Sequence, residues 1–173
     1  MKTDSDILNL STLRDMGLYV HIPFCKQKCM YCDFPAYQNL QDYYETYVYA
    51  LVQEIDLWVS EHPESTSKAI DTIYFGGGTP TELSIQQLQM ILDKIKNTFT
   101  DDCHMTIESN PGEVNLHYLT KLVKLGFNRI SFGVQTFDDK LLTMLHRSHN
   151  GEQAKQAVYD AKEAGFTDIN IDL

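Results

Sequence analysis

The chain has 173 residues, and its 14 lysines and arginines stand against 24 aspartates and glutamates, which gives a formal net charge of −10. This balance argues against nucleic-acid binding, because proteins that bind polyanions gain affinity from clustered cations that neutralise phosphates. Apolar residues make up 43% of the chain, which is enough for a hydrophobic core and too many for a disordered protein.

The N-terminal residues lack the apolar segment of a secretory signal, and no apolar run in the sequence is long enough to span a bilayer. The four cysteines are too unevenly spaced to suggest a disulfide framework. We therefore expect reduced thiols in a cytoplasmic protein without a transmembrane segment, while peripheral contact with a membrane stays open.

Short apolar runs alternate with segments of helical periodicity along the chain. Strands are predicted at 17–22, 70–75, 105–108, 129–133 and 168–173. Helices are predicted at 40–59, 85–99, 116–125 and, after an interruption near 148–151, up to 165. Ser84 and Gln87 form a capping-box pattern before the second helix, and Gly126 marks the end of the third.

This alternation predicts an α/β fold of parallel βαβ units, either an open doubly wound sheet or part of a TIM-like (β/α) barrel. The barrel is favoured, because the unusual polar residues follow the carboxyl ends of the strands, where barrels carry their chemistry. A complete barrel takes about 200 residues or more, so we expect a partial one. Residues 1–16 are interpreted as an N-terminal leader and 17–173 as the N-terminal part of the core domain.

Three cysteines, Cys25, Cys29 and Cys32, follow the spacing Cys-x3-Cys-x2-Cys after the first strand. A structural zinc site would need a fourth ligand, from His21 nearby or from the distant Cys103. A [4Fe-4S] cluster normally takes four thiolates, so three would leave one iron open.

The segments YVHIPFC at 19–25 and KQKCMYCDF at 26–34 resemble the radical S-adenosylmethionine (SAM) family, in its coproporphyrinogen dehydrogenase-like branch. The resemblance implies a [4Fe-4S] cluster on the three cysteines, with SAM chelated by the open iron. It further implies an electron from a reductant such as flavodoxin or ferredoxin, which cleaves SAM to methionine and a 5′-deoxyadenosyl radical.

The same resemblance implies a set of SAM contacts spread along the chain. The glycine-rich loop at 76–80 would approach the methionine amino group, and Arg147 would meet a carboxylate. Glu108 would lie near the ribose or the amino group, and Tyr31 against the adenine. The implied contacts are Tyr19, Tyr31, Gly77, Gly78, Thr79, Glu108, Gln135, Arg147 and Asp172.

Two functions compete within this branch. Oxygen-independent coproporphyrinogen III dehydrogenases carry a further cysteine two residues beyond the third cluster ligand, and this chain has Phe34 there. That departure resembles the HemW-type heme chaperones, which bind heme or a related porphyrin and pass heme to a recipient hemoprotein, and so does the sequence LHRSH at 145–149. We therefore expect a heme chaperone, with the dehydrogenase as the alternative and no assigned catalytic residue. A binding module that never cleaves SAM stays open.

Three other features receive plainer interpretations. His21 is expected to be a hydrogen-bonded neighbour of the cysteine loop, and Cys103 a small buried hydrophobic residue. The tyrosines of the first helix, at 43, 44, 47 and 49, are interpreted as core and helix surface rather than as a porphyrin-stacking site.

Overall fold

The computed structural model describes residues 16–61, 70–95 and 99–173, and these form one sheet of five parallel strands. The strands are β1 (Met16–Ile22), β2 (Ile70–Gly77), β3 (Phe99–Ser109), β4 (Arg129–Gly133) and β5 (Asp168–Asp172). The helices are α1 (Tyr44–Glu61), α2 (Ile85–Ile95), α3 (Leu116–Lys124), α4 (Asp139–Met144) and α5 (Gly151–Ala164). Each strand pairs with the one before it in the chain, in the order β1-β2-β3-β4-β5.

Local signals set the helix boundaries. The predicted capping box is confirmed, because the Gln87 backbone N–H donates to Ser84 Oγ at 3.2 Å and the Ser84 N–H donates to Gln87 Oε1 at 2.8 Å. Helix α5 begins with an equivalent pair, Asn150 and Gln153. It ends at Gly165, whose φ of +105° is a left-handed conformation that favours glycine.

One face of the sheet carries the buried apolar side chains of the core, whereas the other face is only partly covered. On β1, Val20 is buried and the neighbouring Tyr19 is 56% exposed. Consecutive residues Met105, Thr106 and Ile107 of β3 are all buried, so neither face of this strand meets solvent. Phe75 of β2 packs edge-to-face on Phe127, with ring centroids 5.2 Å apart, at the centre of the hydrophobic core. The strand ends are thereby held rigidly, and the loops that follow them are positioned by the core.

All five predicted strands are confirmed, with differences at their ends. Phe99, predicted to end the second helix, instead begins β3, where it pairs with Ile70 of β2. On β5, Ile169 packs against the core, whereas Ile171 and Leu173 are exposed. The predicted leader falls almost wholly outside the described residues. Among the residues that are described, no helix is both long and apolar enough to cross a membrane.

Candidate cofactor site

The loops after the carboxyl ends of the five strands surround a cavity of about 170 Å³. Eleven of the twelve residues predicted for the cluster and SAM line it, and only Tyr19 does not. The eleven are Cys25, Cys29, Tyr31, Cys32, Gly77, Gly78, Thr79, Glu108, Gln135, Arg147 and Asp172. Residues far apart in sequence thus meet at one edge of the sheet, as the barrel interpretation requires.

A larger cavity of about 400 Å³ lies between β1 and α1. Its lining is mostly apolar, and it contains Tyr19, Tyr47 and Trp58 but none of the cysteines. Volume alone therefore does not identify the cofactor site, since thiols, carboxylates and a guanidinium are concentrated in the smaller cavity.

The cysteine loop is tied to the end of β1 by backbone hydrogen bonds. The Cys25 N–H donates to the Tyr37 carbonyl at 3.0 Å, and the Tyr37 N–H donates to the Pro23 carbonyl at 2.7 Å. Cys25 is buried, while Cys29 and Cys32 are half-buried, and all of these thiols are free. The loop therefore presents its thiols to one shared cavity without a disulfide.

The arrangement of donors disfavours a mononuclear zinc site. Within the described ranges, no three His, Cys, Asp or Glu side chains are grouped as ligands of a single metal ion. Cys103 is buried on β3, several residues before the end that meets the cavity, and His21 Nε2 contacts the Pro35 carbonyl at 3.2 Å. In an iron–sulfur cluster each cysteine binds a different iron, so the sulfurs need not converge on one point. Three free thiols on one cavity fit such a cluster.

Two glycines let the loop after β2 pass close to the cysteine loop. A Cβ atom on Gly78 would lie 2.5 Å from the Phe24 carbonyl oxygen, and Gly77 has a φ of +118°. The Thr79 N–H donates to the Phe24 carbonyl at 2.6 Å. A larger residue at Gly78 would displace the backbone that carries Cys25.

Glu108 is held at the end of β3 rather than free in solvent. Its Oε1 accepts a hydrogen bond from the Tyr74 hydroxyl at 2.6 Å, and its Oε2 accepts from the Gly77 backbone N–H at 3.2 Å. Burial and the neighbouring Glu108 carboxylate raise the pKa of Tyr74, so this phenol stays a donor. The carboxylate is thereby aimed into the cavity beside the glycine loop.

Arg147, in the turn between α4 and α5, crosses the cavity to the cysteine loop. Its Nη1 donates to Cys29 Sγ at 2.8 Å, and its Nη2 donates to Asn110 Oδ1 at 2.6 Å and to the Gly133 carbonyl. Its Nε is buried and has no hydrogen-bond partner within the part of the chain that the structure describes. A guanidinium with an unpaired donor suits an anionic ligand group such as a carboxylate.

The ends of β4 and β5 bring Gln135 and Asp172 together. The Gln135 backbone N–H donates to the Asp172 carbonyl at 2.7 Å, and the Asp172 carboxylate accepts from Asn170 Nδ2 at 2.8 Å. Gln135 has a φ of +67°, which is uncommon for a residue other than glycine. Strained backbone of this kind concentrates at binding sites.

The two predicted aromatic contacts differ in position. Tyr31 lines the cavity and is 46% exposed, so its ring is available to a ligand. Tyr19 lies on β1, where its hydroxyl contacts His21 Nδ1 at 3.1 Å and its ring stacks on Tyr74 with centroids 6.0 Å apart. Tyr19 therefore borders the site through Tyr74, the donor to Glu108. The expected hydrogen-bonding role of His21 is confirmed.

Sequence reasoning missed several residues that line the cavity. These are Gln27, Ser109, Asn110, Ser131 and Gly133. Asn110 follows Glu108 by two residues at the same strand end. This short distance from Glu108 was the signal in the sequence, since a polar residue just after the carboxyl end of a barrel strand lies at the site.

Comparisons with known proteins agree with this geometry. A model of the radical SAM superfamily matches residues 19–173. The heme chaperone HemW of Haemophilus influenzae is 38% identical over 165 residues, which cover 93% of this chain and 43% of that protein. The oxygen-independent coproporphyrinogen III oxidase of Escherichia coli is 35% identical over 163 residues, which cover 92% of this chain and 35% of that protein.

A solved structure of coproporphyrinogen III oxidase (HemN) from Escherichia coli superposes with a TM-score of 0.82 at 35% identity. The match covers 91% of this chain and 36% of the other. The five parallel strands alternating with helices therefore correspond to part of its TIM-like fold, which confirms the predicted partial barrel. This chain spans about two-fifths of the length of the relatives it matches.

Proposed function

Since the chain belongs to the radical SAM superfamily, we propose that it forms the cluster- and SAM-binding part of a heme chaperone. The superfamily implies a [4Fe-4S] cluster and SAM as cofactors. The chain spans 43% of the length of the HemW protein of Haemophilus influenzae, so heme binding is proposed for the complete protein.

The residues that line the cavity divide into two groups by chemistry. Cys25, Cys29 and Cys32 would hold the cluster as three thiolates. When bound and reduced, the cluster supplies the electron that cleaves the sulfonium of SAM. Arg147 binds the SAM carboxylate, and the glycine loop after β2 admits its amino group beside Glu108.

The remaining predicted contacts receive the other parts of SAM. Gln135 and Asp172, joined by their backbone hydrogen bond, offer an amide and a carboxylate to ribose hydroxyls. Tyr31 offers an exposed ring to the adenine, and Thr79 and Gly78 shape the floor of the cavity. These side chains bind and orient SAM without themselves transferring a proton.

The observation that carries the chaperone assignment is Phe34. It lies two residues beyond Cys32, lines the cavity and is 67% exposed. An exposed phenyl ring can neither ligate iron nor donate a proton, so it cannot replace the extra cysteine of the dehydrogenase pattern. An exposed aromatic ring beside the cluster is, however, suited to contact with a flat apolar macrocycle.

The alternative is an oxygen-independent coproporphyrinogen III oxidase, which decarboxylates its substrate oxidatively. Identity to the Escherichia coli enzyme is 35% and to the HemW proteins 33–38%, so overall similarity does not separate the two. The proposal rests instead on residue 34, where this chain has Phe and the oxidase pattern has a further cysteine. The proposed partners are heme, a recipient hemoprotein and a reductant such as flavodoxin or ferredoxin, in a reducing cytoplasm that keeps the thiols free.

The test uses the complete protein that contains this chain, reconstituted anaerobically with iron and sulfide. It is titrated with heme by absorbance and then incubated with coproporphyrinogen III, SAM and a reductant. We expect stoichiometric heme binding and no decarboxylated product. Formation of decarboxylated product would contradict the chaperone assignment and support the oxidase assignment.

Two further measurements sharpen this test. Release of 5′-deoxyadenosine under reducing conditions shows whether SAM is cleaved, and its complete absence would favour a binding module over a radical enzyme. The variant Phe34→Cys restores the oxidase pattern at one position. Gain of decarboxylation in this variant would show that residue 34 separates the two activities.

A further inference from the structure

Asn110 lies at the carboxyl end of β3 and lines the cofactor cavity. Its Oδ1 accepts a hydrogen bond from Arg147 Nη2 at 2.6 Å. Its Nδ2 donates to Thr79 Oγ1 at 3.0 Å and to Glu113 Oε2 at 3.1 Å. Because a guanidinium only donates and a carboxylate only accepts, these partners fix which end of the amide is oxygen and which is nitrogen.

Two hydrogen-bond partners of Asn110 each donate a hydrogen bond to a different cysteine. Thr79 is 1% exposed, and its hydroxyl donates to Cys25 Sγ at 3.6 Å. Because Thr79 Oγ1 accepts from Asn110, its single proton remains directed at the sulfur. On the other side, Arg147 Nη1 donates to Cys29 Sγ at 2.8 Å. Asn110 thus connects two of the cavity's thiols through one donor each.

Glu113 anchors the same network from outside the cavity. Its Oε2 accepts from Asn110 and its Oε1 accepts from Ser148 Oγ at 3.1 Å. Ser148 directly follows Arg147, so Glu113 joins Asn110 to the segment that carries the guanidinium. The amide is therefore restrained on three sides, by a hydroxyl, a carboxylate and a guanidinium.

We infer that Asn110 is a positioning residue of the cofactor site, which aims Thr79 at Cys25 and Arg147 at Cys29. The inference rests on the proposed cluster binding. Hydrogen bonds to cysteine sulfurs stabilise the added negative charge of a reduced cluster and so raise its reduction potential. Residues that orient the groups around metal ligands also contribute to retention of the metal.

The test compares the complete, anaerobically reconstituted protein with the variant Asn110→Leu, which has a similar size and no polar atoms. The midpoint potential is measured by a redox titration followed by electron paramagnetic resonance, and iron loss is measured during a chelator challenge. We expect a more negative midpoint potential and iron loss about tenfold faster. A potential and a rate equal to those of the unsubstituted protein would overturn the inference.

Two more variants separate positioning from general stability. Asn110→Asp keeps an acceptor for Arg147, loses the donor to Thr79 and adds a negative charge beside Glu113, so its midpoint potential should also be more negative. Asn128→Asp makes the same change at the opposite end of the sheet, where Asn128 Nδ2 donates to the Cys103 carbonyl at 2.9 Å. It should leave the potential unchanged, and an equal shift in this control would overturn the inference. If Asn110→Leu does not fold, Asn110→Asp carries the test.

The outcomes distinguish this inference from the proposed function. A protein that takes up a cluster but no heme contradicts the chaperone assignment and leaves the Asn110 comparison valid. A protein that binds heme while Asn110→Leu behaves as the unsubstituted protein contradicts the inference alone. Failure of the unsubstituted protein to take up any cluster would overturn both.

Discussion

The two ends of the sheet are built differently. At the amino end of β4, both polar atoms of the Asn128 side chain are hydrogen-bonded. Its Oδ1 accepts from the Met105 N–H at 2.9 Å, and its Nδ2 donates to the Cys103 carbonyl. Its backbone carbonyl accepts from the N–H groups of Thr167 and Asp168. At the carboxyl end, Arg147 Nε is buried without a partner in the described part of the chain, and Gln135 has a left-handed backbone.

This contrast separates stability from function within one sheet. Satisfied hydrogen bonds at the amino end join β3, β4 and the start of β5 and contribute to stability. Unsatisfied donors and strained backbone at the carboxyl end are costs that a bound ligand can offset. Substitutions at the two ends should therefore change different measurements.

The largest effect is expected for Cys29→Ala. The complete protein should lose the cluster's absorbance and its iron after reconstitution, because only two thiolates would remain in the loop. The fold should persist, since Cys29 is half-buried and outside the hydrophobic core. Iron analysis and circular dichroism measure the two properties. Cys103→Ala is the matched control: it should keep full iron content and lose about 1 kcal/mol of stability, because Cys103 is in the core.

A smaller but substantial effect is expected for Gly78→Ala. The added Cβ would lie 2.5 Å from the Phe24 carbonyl oxygen, so backbone must move, at a cost of about 2–3 kcal/mol. The same movement displaces Cys25, so SAM binding and cluster retention should both weaken. Urea unfolding and SAM titration measure these changes. Gly126→Ala, at the amino end of β4, should cost about 1 kcal/mol for its positive φ and leave SAM binding intact.

Asn128→Ala should cost about 2 kcal/mol of stability, since it leaves the Met105 N–H and the Cys103 carbonyl without their side-chain partner. Affinity for SAM and iron content should stay as in the unsubstituted protein. Chemical unfolding and a SAM titration on the same preparation give both values. A loss of SAM affinity here would contradict the separation of the two ends.

The smallest effect on stability is expected for Gln135→Gly. Glycine relieves the positive φ of +67° but loses conformational freedom on folding, so the net gain should be below about 1 kcal/mol. Removal of the amide should at the same time weaken SAM binding. Higher stability with lower affinity would identify residue 135 as a place where strain is kept for function, whereas unchanged SAM affinity would argue against a ligand contact.

Most of the fold could be predicted from the sequence, because short apolar segments mark the strands and helical periodicity marks the segments between them. The alternating apolar residues Ile130 and Phe132 predicted β4 at its observed bounds, 129–133, and a similar alternation predicted β5 at 168–173. Phe99 was assigned wrongly because a single aromatic residue fits both periodicities, and only the pairing of β3 with β2 decides. Such pairing depends on tertiary contacts that local patterns do not contain.

Most residues that line the cavity were predicted from the sequence, but the hydrogen bonds between them were not. The expected cluster ligands Cys25, Cys29 and Cys32 follow from their spacing, and Gly78 follows from the family resemblance. The hydrogen bond from Arg147 to Cys29 joins residues 118 positions apart, and no periodicity reports such a contact. Asn110 was missed for the same reason: its importance lies in its partners, and its sequence neighbours Pro111 and Gly112 suggest only a turn.

The order of the strands also has a consequence for synthesis on the ribosome. Because β1 to β5 are neighbours in the same order in which they are translated, each new strand can add to the one already made. The cysteine loop follows the first strand, whereas Gln135, Arg147 and Asp172 are translated last. The thiols are therefore made well before the last residues that line the same cavity.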